Sequence, residues 1–145
     1  MNDPTSAPSL PEAPARRFDL LYVEDNAANL ALVEQLISRR AELRLFSAVN
    51  GQCGLEMARS HQPDVILLDI QLPDLSGRDI FTLLHDSAAT SHIPVIALSS
   101  NAYPRQIEQC LGAGFFRYLS KPFQLNHFWA ALDAALLRAE QNRRA

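Results

Sequence analysis

Five short apolar runs punctuate the chain: FDLLYV (18–23), LRLFSA (43–48), DVILLDI (64–70), PVIALS (94–99) and FFRYLS (115–120). Each has the length of a strand. The stretches between them carry apolar residues at the three-or-four spacing of one helix face. The sets are Leu30, Val33 and Ile37; then Leu55 and Ala58; then Ile80, Leu83 and Leu84; then Ile107, Cys110 and Leu111. A last helix is marked by Leu125, Phe128, Trp129, Leu132 and Leu136, a stripe that reads as core packing onto a sheet and not as a cofactor box. Strict alternation of strand and helix predicts an α/β domain with a five-stranded parallel sheet. Runs two, three and four are apolar on both faces or nearly so, which calls for helices on both sides and hence a doubly wound sheet.

The third run raises a question of its own. Four aliphatic residues, Val65 to Leu68, precede Asp69, and a strand buried on both faces has little reason to end in a carboxylate without a task. Ligands of doubly wound sheets sit beyond the carboxyl ends of the strands. The residues found there are Glu24 and Asp25 after the first run, Asp69 in the third, Ser99 ending the fourth and Lys121 after the fifth. Two carboxylates ~4 Å apart repel by about 4 kcal/mol at an effective dielectric near 20. Such a group raises its pKa values or recruits a cation. Oxygen donors without histidine or cysteine suit a hard ion, magnesium above all, and magnesium attracts phosphate. Lys121 and Ser99 supply an ammonium and a hydroxyl for phosphoryl oxygens, and Asp69 is placed as a carboxylate nucleophile able to form an acyl phosphate. Taken singly, each residue has an ordinary reading, an aspartate as a helix cap or a Lys-Pro as a turn. Four strand ends delivering compatible groups are far more specific.

Composition narrows the field. The 145 residues are 48% hydrophobic, enough for one domain with a core of its own. A net charge of -3 with interspersed signs gives no basic footprint for nucleic acid or an anionic membrane. No apolar run approaches a bilayer span and no signal peptide opens the chain, so the cytoplasm is the default location. Cys53 and Cys110 lack metal-ligand spacing and read as reduced packing residues, and the four histidines are scattered. Residues 1–17 hold Pro4, Pro8, Pro11 and Pro14 with almost no large apolar side chains, and read as a disordered tail or linker. The domain is expected over 18–138, with a polar C-terminal tail at 139–145.

The stretches VEDN (23–26), LLDIQLPDLSG (67–77), ALSSNA (97–102) and YLSKPF (118–123), with the intervals between Asp25, Asp69, Ser99 and Lys121, resemble a response-regulator receiver domain, CheY-like, of two-component signalling. The VEDNAANL opening and GFFRYLSKPF ending look most like receivers of hybrid histidine kinases. The resemblance covers roughly residues 18–137 and implies a flavodoxin-like sheet of strand order 2-1-3-4-5. It implies that Asp69 accepts a phosphoryl group from a phosphohistidine on a histidine kinase or histidine phosphotransfer protein. Glu24, Asp25 and Asp69 would hold magnesium with the backbone carbonyl of Gln71, and Ser99 and Lys121 would bind phosphoryl oxygens. Tyr118 would swing inward as Ser99 is drawn toward the phosphate, changing the face of the fourth helix, fifth strand and fifth helix for a downstream protein target or a homodimer. The Lys121-Pro122 bond resembles the family's cis peptide, and Gly77 stands at a position tolerant of unusual dihedrals. Ser99 replaces the commoner threonine, and Ser100 stands where a smaller residue is usual. Such a protein is a phosphorylated signalling domain, not an enzyme: it catalyses only its own phosphotransfer and slow autodephosphorylation.

Rival readings meet obstacles in the same residues. A flavin-binding relative wants a Ser/Thr/Gly-rich loop where this chain has Glu24 and Asp25. Gly112-Ala-Gly114 follows a helix instead of a strand, so it reads as a helix C-cap and not a dinucleotide loop. A haloacid-dehalogenase-like phosphatase expects a second aspartate where Gln71 stands. The remaining alternative is a pseudo-receiver, an interaction module independent of phosphorylation. Little chain follows the last helix, so the expected output is protein contact, either by a stand-alone regulator or within a hybrid kinase, with Met1 favouring the former.

Overall fold

The computed structural model describes residues 17–144, so the proline-rich segment expected as a tail lies, apart from Arg17, outside the described residues. Strands β1 (Phe18–Val23), β2 (Leu43–Ala48), β3 (Val65–Asp69), β4 (Val95–Ser99) and β5 (Arg117–Ser120) alternate with five helices. These are α1 (Ala27–Ile37), α2 (Gly51–His61), α3 (Gly77–His85), α4 (Pro104–Ala113) and α5 (Leu125–Arg144). The sheet is parallel throughout, in the order β2-β1-β3-β4-β5. The doubly wound architecture is the one the alternation predicts.

Successive strand residues point to opposite faces, and two cores result. Leu20, Tyr22, Leu67, Ile96 and Leu98 pack against α1 and α5 through Val33, Leu36, Phe128 and Leu132. Leu21, Val23, Ile66, Leu68 and Val95 pack on the other side against Leu55, Ile80, Leu84 and Cys110 of α2, α3 and α4. Every residue of β3 and β4 is buried. The second run departs from expectation: β2 is an edge strand, paired on one side only, whose Arg44 and Ser47 are exposed. Leu83, Leu111 and Leu125, each counted toward a buried helix face, are exposed as well. Cys110 is fully buried, but Cys53 is exposed in the first turn of α2, where Gly51, Gly54 and Leu55 take the inward side.

Helix starts are set by local polar chemistry. Asn26, Asn50 and Ser76 each accept a hydrogen bond from the backbone N–H three residues on, satisfying a donor the helix leaves open. Pro104 opens α4, where its missing N–H costs nothing, and Gly114, at φ 121°, closes it as the C-cap anticipated for that glycine.

Two expectations need correcting. Residues 139–144 are not a tail: α5 runs to Arg144, with Ala139 buried at 3% exposure. Arg143 fixes this end by reaching the Asp64 carboxylate at 3.1 Å and the Arg17 carbonyl at 2.5 Å while lying over the Phe18 ring. Charged residues can therefore extend a helix when one of its faces still meets the body of the domain. Gly77, in turn, is not needed for an unusual dihedral, since Gly114 is the one glycine with positive φ among the described residues. The need is space. A Cβ at Gly77 would lie 2.5 Å from the Asp69 carbonyl oxygen and 2.7 Å from the Ile70 Cα. The loop after β3 folds back that closely, with Gly77 N–H donating to the Ile70 carbonyl at 2.9 Å.

Candidate functional site

All four strand ends converge at the carboxyl edge of the sheet. Glu24 follows β1 and is 1% exposed, Asp69 ends β3 at 2%, and Ser99 ends β4 at 0%, while Asp25 is exposed at the rim. Glu24, Asp25 and Asp69 each offer a carboxylate oxygen, and these oxygens lie within 4.8 Å of one another.

Lys121 enters from the loop after β5. Its backbone N–H donates to the Ser99 carbonyl at 2.8 Å, and the Lys121-Pro122 peptide is cis. Its ammonium lies 2.8 Å from Glu24 Oε1 and 3.1 Å from Asp69 Oδ2. Asp69 Oδ1 accepts from the Gln71 backbone N–H at 3.0 Å. Ser99 Oγ accepts from the Asn101 N–H at 3.0 Å, and the Tyr118 hydroxyl donates to the Asn101 carbonyl. Ser99 and Tyr118 therefore hold the same residue of the β4–α4 loop. The side chain of Gln71 accepts from Ser100 Oγ at 3.4 Å beside the site.

The electrostatics follow from one cation facing three acids. Burial, reinforced by Glu24, pushes the Asp69 carboxyl up to about 6, against the pull of the Gln71 N–H and Lys121. Burial also opposes ionisation of Glu24, but hydrogen bonds from Lys121 and Tyr22 outweigh it and hold that carboxyl below its ordinary value. Lys121 is raised: burial works against its charge, and the two carboxylates more than compensate. An all-oxygen donor set with negative charge in excess, partly open to water through Asp25, fits a hard divalent cation of the magnesium class.

Tyr22 is a member of this site that the motif reading passed over. Its hydroxyl donates to Glu24 Oε1 at 2.7 Å. A signal was present, because residues two apart share a face of the strand and Tyr22 places a hydroxyl in an otherwise apolar run. Asn101 was missed too, since it contributes through its backbone, which side-chain chemistry does not announce.

Comparison with known proteins agrees with this picture. The family model for the response regulator receiver domain matches residues 20–133. A curated relative, the polar-differentiation response regulator DivK of Brucella anthropi, is 38% identical over 117 residues, covering 81% of this chain and 94% of its own. Among solved structures, a CheY-like response regulator receiver domain protein from Methanospirillum hungatei superposes with a TM-score of 0.77 at 21% identity, covering 87% of this chain and 98% of that one. The receiver domain of a sensor histidine kinase from Pseudomonas aeruginosa, described with a magnesium ion coordinated in its active-site cleft, gives 0.73 at 30% identity, covering 81% and 96%. These relatives include a response regulator and a kinase receiver alike, so the narrower likeness to hybrid kinases is not singled out. No helix among the described residues is long and apolar enough to cross a membrane. A family model spanning most of the domain and a relative at this level of identity place the chain in the response regulator receiver family of two-component signalling.

Proposed function

We propose that Asp69 is the phosphoacceptor of a phosphorelay. A carboxylate oxygen of Asp69 attacks the phosphorus of a phosphohistidine on a histidine kinase or histidine phosphotransfer protein. The new P–O bond forms as the P–N bond breaks, and the imidazole leaves with a proton. Glu24, Asp25 and Asp69, with the Gln71 carbonyl, are the residues that would hold magnesium. Bound there, the ion supplies positive charge to the transferring oxygens. Lys121 and Ser99 are the protein's own donors for those oxygens. The observation that carries this reading is the Lys121 ammonium held between two buried carboxylates, 2.8 Å from Glu24 and 3.1 Å from Asp69.

Phosphorylation adds about two negative charges at Asp69 and gives Ser99 and Lys121 a new partner. Ser99 and Tyr118 both grip Asn101, so movement of Ser99 is felt at β5. The surface of α4, β5 and α5 then changes for a downstream protein target or a second copy of the chain, with the cytoplasm as the place of action. The chain acts on no substrate but its own phosphoryl group. Incubation with a small phosphodonor and magnesium, followed by intact-mass measurement, tests the assignment. Wild type gains one phosphoryl group and Asp69→Asn gains none; equal uptake by both defeats the reading.

A further inference from the structure

Tyr22 is fully buried on the α1 and α5 side of the sheet, yet its polar end leaves that apolar core and meets the acid cluster. A buried tyrosine needs an acceptor, and a neutral backbone carbonyl would satisfy it. Here the acceptor is an ionised carboxylate, which makes the bond charge-assisted. Tyr22 and Lys121 both donate to Glu24 Oε1, at 2.7 and 2.8 Å. Glu24 Oε2 accepts the longer Asn26 N–H contact at 3.2 Å. Two strong donors on one oxygen fix the rotation of the carboxylate and leave the other oxygen the freer of the two.

We propose that Tyr22 is a positioning residue for the phosphorylation site, acting through Glu24: it orients that carboxylate for magnesium and keeps it hydrogen-bonded when Lys121 turns to a phosphoryl group on Asp69. The inference rests on the phosphoacceptor reading above. Lys121 serves Glu24 and Asp69 together, so a phosphoryl group on Asp69 draws the ammonium away from Glu24. Glu24 remains buried, and a buried carboxylate stripped of its donors is costly. The Tyr22 hydroxyl is the donor that stays on that oxygen, with only the longer Asn26 N–H contact on the other. Without it, Glu24 competes harder for Lys121 and its carboxylate is free to rotate.

The test is a double-mutant cycle on magnesium affinity, measured by calorimetry without phosphodonor on wild type, Tyr22→Phe, Glu24→Ala and the double variant. Groups that orient metal ligands typically contribute 10–100-fold to affinity, so Tyr22→Phe should raise the magnesium dissociation constant about ten-fold. In the Glu24→Ala background the same change should have no further effect. A tyrosine that only fills the core would alter thermal stability and leave magnesium affinity unchanged. Unchanged affinity in Tyr22→Phe, or a shift that persists at full size without Glu24, overturns the inference while the phosphoacceptor reading stands. Failure of the wild type to bind magnesium saturably overturns both. Thermal unfolding of each variant confirms that the titrations compare folded proteins.

Discussion

The Lys121 ammonium lies 3.1 Å from Asp69 Oδ2, although Asp69 ends β3 and Lys121 follows β5, with β4 between those strands. The same ammonium also serves Glu24, so the metal-free site keeps an uncompensated negative charge in a place where burial, reinforced by Glu24, pushes Asp69 up to about 6.

Neutralising Asp69 should therefore stabilise the metal-free protein. Asp69→Asn removes the cost of ionising a buried carboxyl beside Glu24, roughly 3 kcal/mol at neutral pH. For a chain of this size that is a rise of several degrees in Tm. Thermal unfolding in a chelator should show the gain, and magnesium should narrow it by neutralising the wild-type cluster. An asparagine variant that melts lower than wild type in chelator would contradict the charge balance described here.

Asp74 gives the acid limb of stability a specific origin. Its carboxylate accepts from the Gly51 N–H at 2.7 Å and the Gln52 N–H at 3.0 Å, tying the loop after β3 to the start of α2. These bonds, the Gly51 one foremost, hold its carboxyl below the ordinary value. A carboxyl depressed in the folded state stabilises above its unfolded pKa of about 3.9, and that contribution is lost as pH falls through the folded value. Asp74→Asn should flatten the dependence of Tm on pH below about pH 4 and leave the neutral-to-alkaline limb unchanged. Parallel curves for the two proteins across the acid range would count against it.

Gly77→Ala should destabilise by overpacking. The added methyl would press on the Asp69 carbonyl and the Ile70 Cα, both backbone atoms that cannot swing aside. Overpacking of this kind costs roughly 1–3 kcal/mol. Because the pressure falls on the backbone of Asp69, the proposed phosphoacceptor, magnesium affinity should fall along with stability. Gly112→Ala, at an open position in α4, is the control that should raise stability slightly through helix propensity and leave magnesium affinity unchanged. Urea unfolding and a magnesium titration of both variants decide the matter.

A chain ending at Arg138 should be measurably less stable than the full one. It loses buried Ala139, the Arg143 contacts to Asp64 and Phe18, and the Asn142 bond to the His92 carbonyl at 2.8 Å. A loss of roughly 1–3 kcal/mol in urea unfolding is expected. Equal midpoints would mean that the last turns of α5 contribute nothing to the domain.

How much was legible beforehand varies with the physics involved. Strand runs announced themselves because β3 and β4 are buried on both faces and their side chains must be apolar without interruption. Glu24, Asp69, Ser99 and Lys121 could be gathered from sequence because a parallel sheet places every strand's carboxyl end on one edge. The exposure of β2 was signalled by Arg44 and Ser47 within its run and passed over because the run was read as apolar on both faces or nearly so. The helical end of α5 was hidden, because its partners Asp64 and Phe18 lie far away in the chain.

The sequence by itself determined the alternation of strands and helices, the residues at the strand ends and therefore the kind of chemistry available, because these depend on local periodicity and on the direction a strand must run. Tertiary structure alone decided which donors share an oxygen. Tyr22 and Lys121 meet on Glu24 Oε1, Asn101 links Ser99 to Tyr118, and Gly77 has no room for a methyl. Such relationships turn on distances of a few ångströms between segments remote in the chain, and no local pattern encodes them.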